Sequence, residues 1–143
     1  MITKEQLQSY VGLRLEAENI TERLARLRAE AQLPPMRNSD GSQHTPGAAD
    51  RMARSVEALL EYEQRAAPRL ARIRAQLAAI EAAVDALPDP LEREVLRLRY
   101  LDAEFCRLTR WGPIAVRMYG DDEEKHLKAV QRLHLSAIEH VGR

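Results

Sequence analysis

The chain has a single cysteine, one phenylalanine, one tryptophan and six glycines among 143 residues, and aromatics make up only 4%. One cysteine excludes an internal disulfide and any cysteine-based zinc site. Taken alone, Cys106 reads as a small buried apolar residue. So few aromatics and glycines argue against a sheet-centred enzyme core. No P-loop, dinucleotide glycine fingerprint or metalloprotease helix motif occurs. His126, His134 and His140 are spaced by eight and six, so they do not form a tight i,i+4 metal pair, and His44 stands alone. No enzyme, cofactor or metal is expected. The N-terminal MITKEQLQSY lacks the apolar run of a signal peptide, and no stretch is apolar enough to span a bilayer. We therefore expect no membrane association and a cytoplasmic location, in a bacterial host cell given the resemblance drawn below. Net charge is zero, which removes any long-range basic field.

What the chain does have is charge, 31% of residues, and helical periodicity. Thr3 and Gln6 form a capping box. Positions 10, 13, 17, 20, 24, 27 and 31 hold Tyr, Leu, Ala, Ile, Leu, Leu and Ala, the alternating threes and fours of a coiled-coil seam. Residues 32–49 (QLPPMRNSDGSQHTPGAA) are rich in proline, glycine and small polar residues and read as a flexible loop. Asp50 then suits an N-cap. A second seam runs through 52, 56, 59, 63, 66, 70, 73, 77, 80, 84 and 87, with Glu63 its only polar member. Pro68 falls inside it, and the unbroken phase favours a kink over a break. Two seams joined by a loop predict a long antiparallel, coiled-coil-like hairpin over 1–87. The second helix is the longer, so Ile80, Val84 and Leu87 overhang the first. They must be covered by the C-terminal part or by a second chain, and a homodimer is expected.

Residues 88–143 read as a three-helix head. Pro88 and Pro90 precede Leu91, Val95 and Leu98 at helical spacing. Trp111-Gly112-Pro113-Ile114-Ala115 opens a second helix, with Pro113 suited to its first position. Gly120 ends it as a left-handed cap. Asp121 or Asp122 can cap a third helix whose apolar side is Leu127, Val130, Leu133, Ala137, Ile138 and Val141. Lys125, Lys128, Gln131 and Arg132 lie opposite. A short helix, a glycine turn and a longer helix with a basic-polar face is the helix-turn-helix arrangement that enters the major groove. The fold expected is thus all-α: hairpin, then helix-turn-helix head.

Three runs carry a family resemblance: Leu87-Pro88-Asp89-Pro90 with VLRLRYL over 95–101, then Trp111 to Ala115, then Val130-Gln131-Arg132-Leu133-His134. On these the chain resembles small phage-encoded transcription regulators whose C-terminal part looks like the promoter-reading fourth domain of sigma factors. In that family the corresponding runs end the first helix, open the second and form the recognition helix. A looser match extends upstream through 50–62. The segment from Tyr100 to Trp111 is longer than the family's turn. The segment from Gly120 to Val130 is longer too, and holds Asp121, Asp122, Glu123 and Glu124. Four carboxylates suit a helix N-terminus but oppose phosphate approach there.

The resemblance implies sequence-specific binding of double-stranded DNA and late-gene control, with RNA polymerase a further partner. Gln131 and Arg132 are the base-reading candidates, joined by Lys128 in the groove. Arg110, Arg117 and Lys125 are phosphate contacts, with His134 a further one. Trp111 reads as a core anchor, and Arg99 as a salt-bridge former within the head. Two other functions are open: a coiled-coil interaction protein that acts on polymerase or another protein without touching DNA, and a DNA recogniser like the small terminase of phage packaging. From Pro90 onward ten Lys and Arg face nine Asp and Glu, a net +1 before histidines. Any DNA affinity must come from local placement.

Overall fold

The computed structural model describes residues 1–32, 47–105 and 107–143. Cys106, His44 and most of the expected 32–49 loop lie outside the described residues. The chain is all-α. Its elements are α1 (Lys4–Gln32), α2 (Gly47–Asp85), α3 (Pro90–Leu96), a π-helical turn (Arg97–Leu101), α4 (Trp111–Tyr119) and α5 (Glu124–Val141), with no strand among the described residues. No helix is long and apolar enough to cross a membrane.

Thr3 and Gln6 form the reciprocal box. The Thr3 amide donates to Gln6 Oε1 at 2.8 Å, and the Gln6 amide to Thr3 Oγ1 at 3.2 Å. α2 begins at Gly47, so Asp50 sits in its first turn and not at its cap. There a carboxylate still complements the helix dipole. α2 continues unbroken through Pro68.

By packing, the chain divides into two units, Met1–Leu15 with Ile73–Arg143, and Glu16–Arg72. The division therefore falls within the long helices and not at the expected 87/88 boundary, because the first turns of α1 and the last turns of α2 belong to the core of the C-terminal helices. In the Glu16–Arg72 unit, Ala17, Ile20, Leu24, Ala66 and Leu70 are buried. Arg69 pairs with Glu16, and Arg28 with Glu63 at 3.1 Å. The lone polar seam residue is thus ion-paired, and the pairings run in opposite chain order. Met52 and Val56, at the start of the second seam, are 42% and 39% exposed.

The other unit has one continuous core. Leu7, Tyr10, Ile80, Val84 and Leu87 pack with Val95, Leu96, Tyr100, Ile114, Val130 and Ala137. Ile80, Val84 and Leu87 are therefore covered by α3 to α5 of the same chain, which removes the exposed overhang as a ground for dimerisation. The Ile2 amide donates to the Val141 carbonyl at 3.2 Å, joining the start of α1 to the end of α5. Asp89 caps α3, its Oδ1 accepting from the Leu91 amide at 2.9 Å.

Arg110 is the N-cap of α4, so Pro113 occupies the third helical position and not the first. A first-turn proline still removes no intrahelical hydrogen bond. Gly120 caps α4 with φ 89°, and its amide donates to the Val116 carbonyl at 2.9 Å. A Cβ there would meet no atom within 4 Å, so a substitution is opposed by backbone conformation alone. We expect Gly120→Ala to cost about 1 kcal/mol in chemical denaturation. A neutral effect would show that the turn relaxes. α5 starts after Glu123, which offers no side-chain cap. Asp121 does not cap it as expected. It turns back, accepting the Glu123 amide at 3.1 Å and pairing with His126.

Candidate nucleic-acid interface

α5 is the element on which the candidate site rests. Its buried residues Val130, His134, Ala137 and Val141 recur at intervals of four, three and four, fixing one inward stripe. Leu127, Leu133 and Ile138 pack beside it. With that stripe held by the core, the remaining faces are set: Lys125, Lys128, Gln131 and Arg132 are all exposed. Arg110 and Arg117, at the two ends of α4, are exposed as well.

Two of these cations are not free. Lys125 Nζ lies 3.6 Å from Glu123, and Lys128 Nζ 3.2 Å from Glu124, with every partner largely exposed. Such pairs are screened and weak, so the lysines can exchange partners. Arg110, Arg117 and Arg132 form no salt bridge among the described residues. The turn before α5 is held by its acids: Tyr119 stacks on His126 with ring centroids 5.2 Å apart, and Asp121 pairs with the same imidazole. That hydrogen bond, helped by the Glu123 amide, holds the Asp121 carboxyl below its ordinary range. Part of the acidic run is therefore structural.

His134 is a correction. It is 6% exposed and faces the core, so it reaches no phosphate. Its Nε2 lies 2.6 Å from the Tyr100 hydroxyl, which donates to the neutral ring. Tyr100 stacks on it at 5.6 Å and Trp111 meets it edge-on at 4.8 Å. Burial, then the Arg99 charge and that of Lys4, lower its pKa to about 4. Burial also raises the Tyr100 pKa. Trp111 is half-buried against the core. Arg99 makes no salt bridge. Its guanidinium lies over the Trp111 ring at 4.1 Å and donates to the Thr109 carbonyl, so the head replaces the expected ion pair with a cation–π contact.

Sequence reasoning missed two features here. Leu135 is 67% exposed, and by helical spacing it lies a turn beyond Gln131 and Arg132 on their face. An apolar residue in so leucine-rich a helix gives no sign that it faces outward. Glu92, at the start of α3, is 4% exposed. It accepts from Ser136 Oγ at 2.7 Å and contacts His140 Nδ1 at 2.8 and 2.9 Å. That buried carboxylate ties α3 to α5, and the 44 and 48 residues separating the partners leave no local signal. Among the described residues, no group of three or more His, Cys, Asp or Glu is placed to hold a metal ion.

Compared with protein-family models, curated proteins and solved structures, the chain matches none.

Proposed function

We propose that this chain is a sequence-specific DNA-binding regulator of transcription, of the phage late-gene type that its resemblance implies, and not an enzyme. The observation that carries the reading is the pairing of α4 and α5 across the left-handed Gly120 turn. It leaves Lys128, Gln131 and Arg132 outward on a helix whose opposite stripe is buried. In this helix-turn-helix reading α5 lies in the major groove. Gln131 and Arg132 have the forked donors and acceptors that read purine edges, and Leu135 suits a thymine methyl. Lys125, Arg110 and Arg117 contact phosphate on either side. Such contacts position the head without reading sequence.

Fluorescence anisotropy of the full chain on double-stranded DNA from its own locus, at several salt concentrations, tests this. Affinity is expected to fall log-linearly with salt. Lys128→Ala with Arg132→Ala is expected to weaken binding about a hundredfold, the combined effect of one base contact and one phosphate contact. Both side chains are exposed, so the melting curve should not move. Unchanged affinity in the double variant, or no binding at low salt, sinks the reading.

The glutamate partners of Lys125 and Lys128 favour a second reading, in which this face and the host polymerase, or another protein, meet without DNA. Recovery of polymerase by the protein in the absence of DNA, with the Lys128/Arg132 variant failing to recover it, would support that reading instead.

A further inference from the structure

The 102–110 loop, longer than the turn of the resembled family, holds the chain's one phenylalanine. Phe105 is 87% exposed and has φ 54°, the only non-glycine residue with positive φ among the described residues. Both features are unfavourable for an isolated chain: a ring in water gains nothing from burial, and a left-handed backbone strains a side-chain-bearing residue. The loop is nonetheless held firmly at its base. Arg14 donates to the Leu101 carbonyl at 2.6 Å and to the Ala103 carbonyl at 2.7 Å. Ala103 is fully buried. At the other end the Thr109 amide donates to the Arg99 carbonyl at 3.2 Å, and Leu108 packs on the core. The Arg107 amide closes the turn onto Glu104 at 3.1 Å. A fixed base that presents a strained, solvated ring is pre-organised for contact with something else.

The same loop carries a receptor for that ring. Asp102, Glu104, Arg107, Leu108 and Thr109 line a cavity of about 260 Å³. Ring and cavity lie on one short loop, with acids on its first half and Arg107 on its second. A twofold axis sets residue i against j and j against i. It therefore brings each copy's Glu104 towards the other's Arg107, with the rings between. DNA suits this loop poorly, because Asp102 and Glu104 outnumber Arg107.

We propose that the 102–110 loop is a self-association surface, through which two copies of this chain pair by inserting each Phe105 into the cavity beside the other's Leu108. One loop buries far less than the roughly 1,200 Å² of a stable complex, so the dimer belongs to the weak, transient class. The inference does not depend on whether α5 binds DNA.

Sedimentation equilibrium of the full chain, from about 10 µM to about 1 mM to cover that class, is the test. The weight-average mass is expected to climb from 16.3 kDa towards twice that value. Phe105→Gly is expected to weaken association at least tenfold while leaving the thermal midpoint of the dilute monomer unchanged or higher, since glycine takes this backbone freely. Glu104→Arg alone should weaken association, and Glu104→Arg with Arg107→Glu should restore it. A chain that stays monomeric throughout overturns the proposal, as does a dimer indifferent to Phe105→Gly or not rescued by the charge swap. A lowered midpoint for Phe105→Gly also overturns it, because the ring would then be packing within its own chain.

Discussion

As pH is lowered from 6.5 to about 4, the protein loses about 3 kcal/mol of stability through His134 alone. The ring is enclosed by Tyr100 and Trp111, and burial is the first cause of its depressed pKa, with the nearby Arg99 charge next. Between the ordinary pKa of 6.5 and the folded value of about 4, the unfolded chain takes up a proton that the folded chain refuses. Acid therefore pulls the equilibrium towards the unfolded state. His134's contribution is whole above the unfolded pKa, falls through this window and is fully lost below it. For a chain of this size the corresponding fall in melting temperature is about 10 °C. Glu16 and Asp121, whose carboxyls are held low by Arg69 and His126, lose their contributions at more acid pH. Melting curves by circular dichroism at pH 7, 6, 5 and 4.5 would read the slope. His134→Gln keeps an acceptor for the Tyr100 hydroxyl and cannot titrate. It should start lower at pH 7 and run flat across the same window. A slope that survives in the Gln variant would place the titrating group elsewhere.

The second large effect concerns the acids that face α5. Glu123→Gln with Glu124→Gln is expected to strengthen DNA binding and to steepen its salt dependence by about two in the log–log slope, one unit for each phosphate newly neutralised. The reason is local. Lys125 and Lys128 spend their charge on these two glutamates, and the carboxylates stand where a phosphate would approach the helix start. Asp121 is left alone, because its contacts to the Glu123 amide and His126 shape the turn. A variant that binds like the original would show that both lysines point away from the duplex. The acids would then be a solubility feature of the surface.

The seams were legible because burial repeats along a helix whatever its partner. Tyr10, Ala17, Ile20 and Leu24 on α1, and Ala66, Leu70, Ile73, Ile80, Val84 and Leu87 in the second seam, are buried as spacing alone required. Proline and glycine punctuation placed α3 and α4 within a residue or two, and Gly120 took the left-handed cap. The outward position of Lys125, Lys128, Gln131 and Arg132 followed from the apolar side of α5 by elimination. Contacts between distant residues were not legible. His134 follows a basic stripe in the sequence, yet it is claimed by Tyr100, 34 residues earlier. Glu92 looks like a solvated first-turn acid until Ser136 and His140 are brought over it. The 87/88 boundary misled for the same reason: prolines mark where a helix ends, and say nothing of which core its flanks join.

That shared core sets the order in which the chain can fold. The bond from Ile2 to Val141 and the contacts of Leu7 and Tyr10 with the C-terminal helices close loops almost as long as the chain itself. Long closures slow folding, since their entropy is lost before the contacts repay it. The Glu16–Arg72 segment zips by nearer pairings, Glu16 with Arg69 and Arg28 with Glu63, and can shorten that closure by forming first. A fragment cut at residue 88 lacks Leu7, Tyr10, Ile80, Val84 and Leu87. The head that would read DNA is therefore a product of both ends of the chain, and a fragment beginning at 88 would have no core on which to set its α5 face.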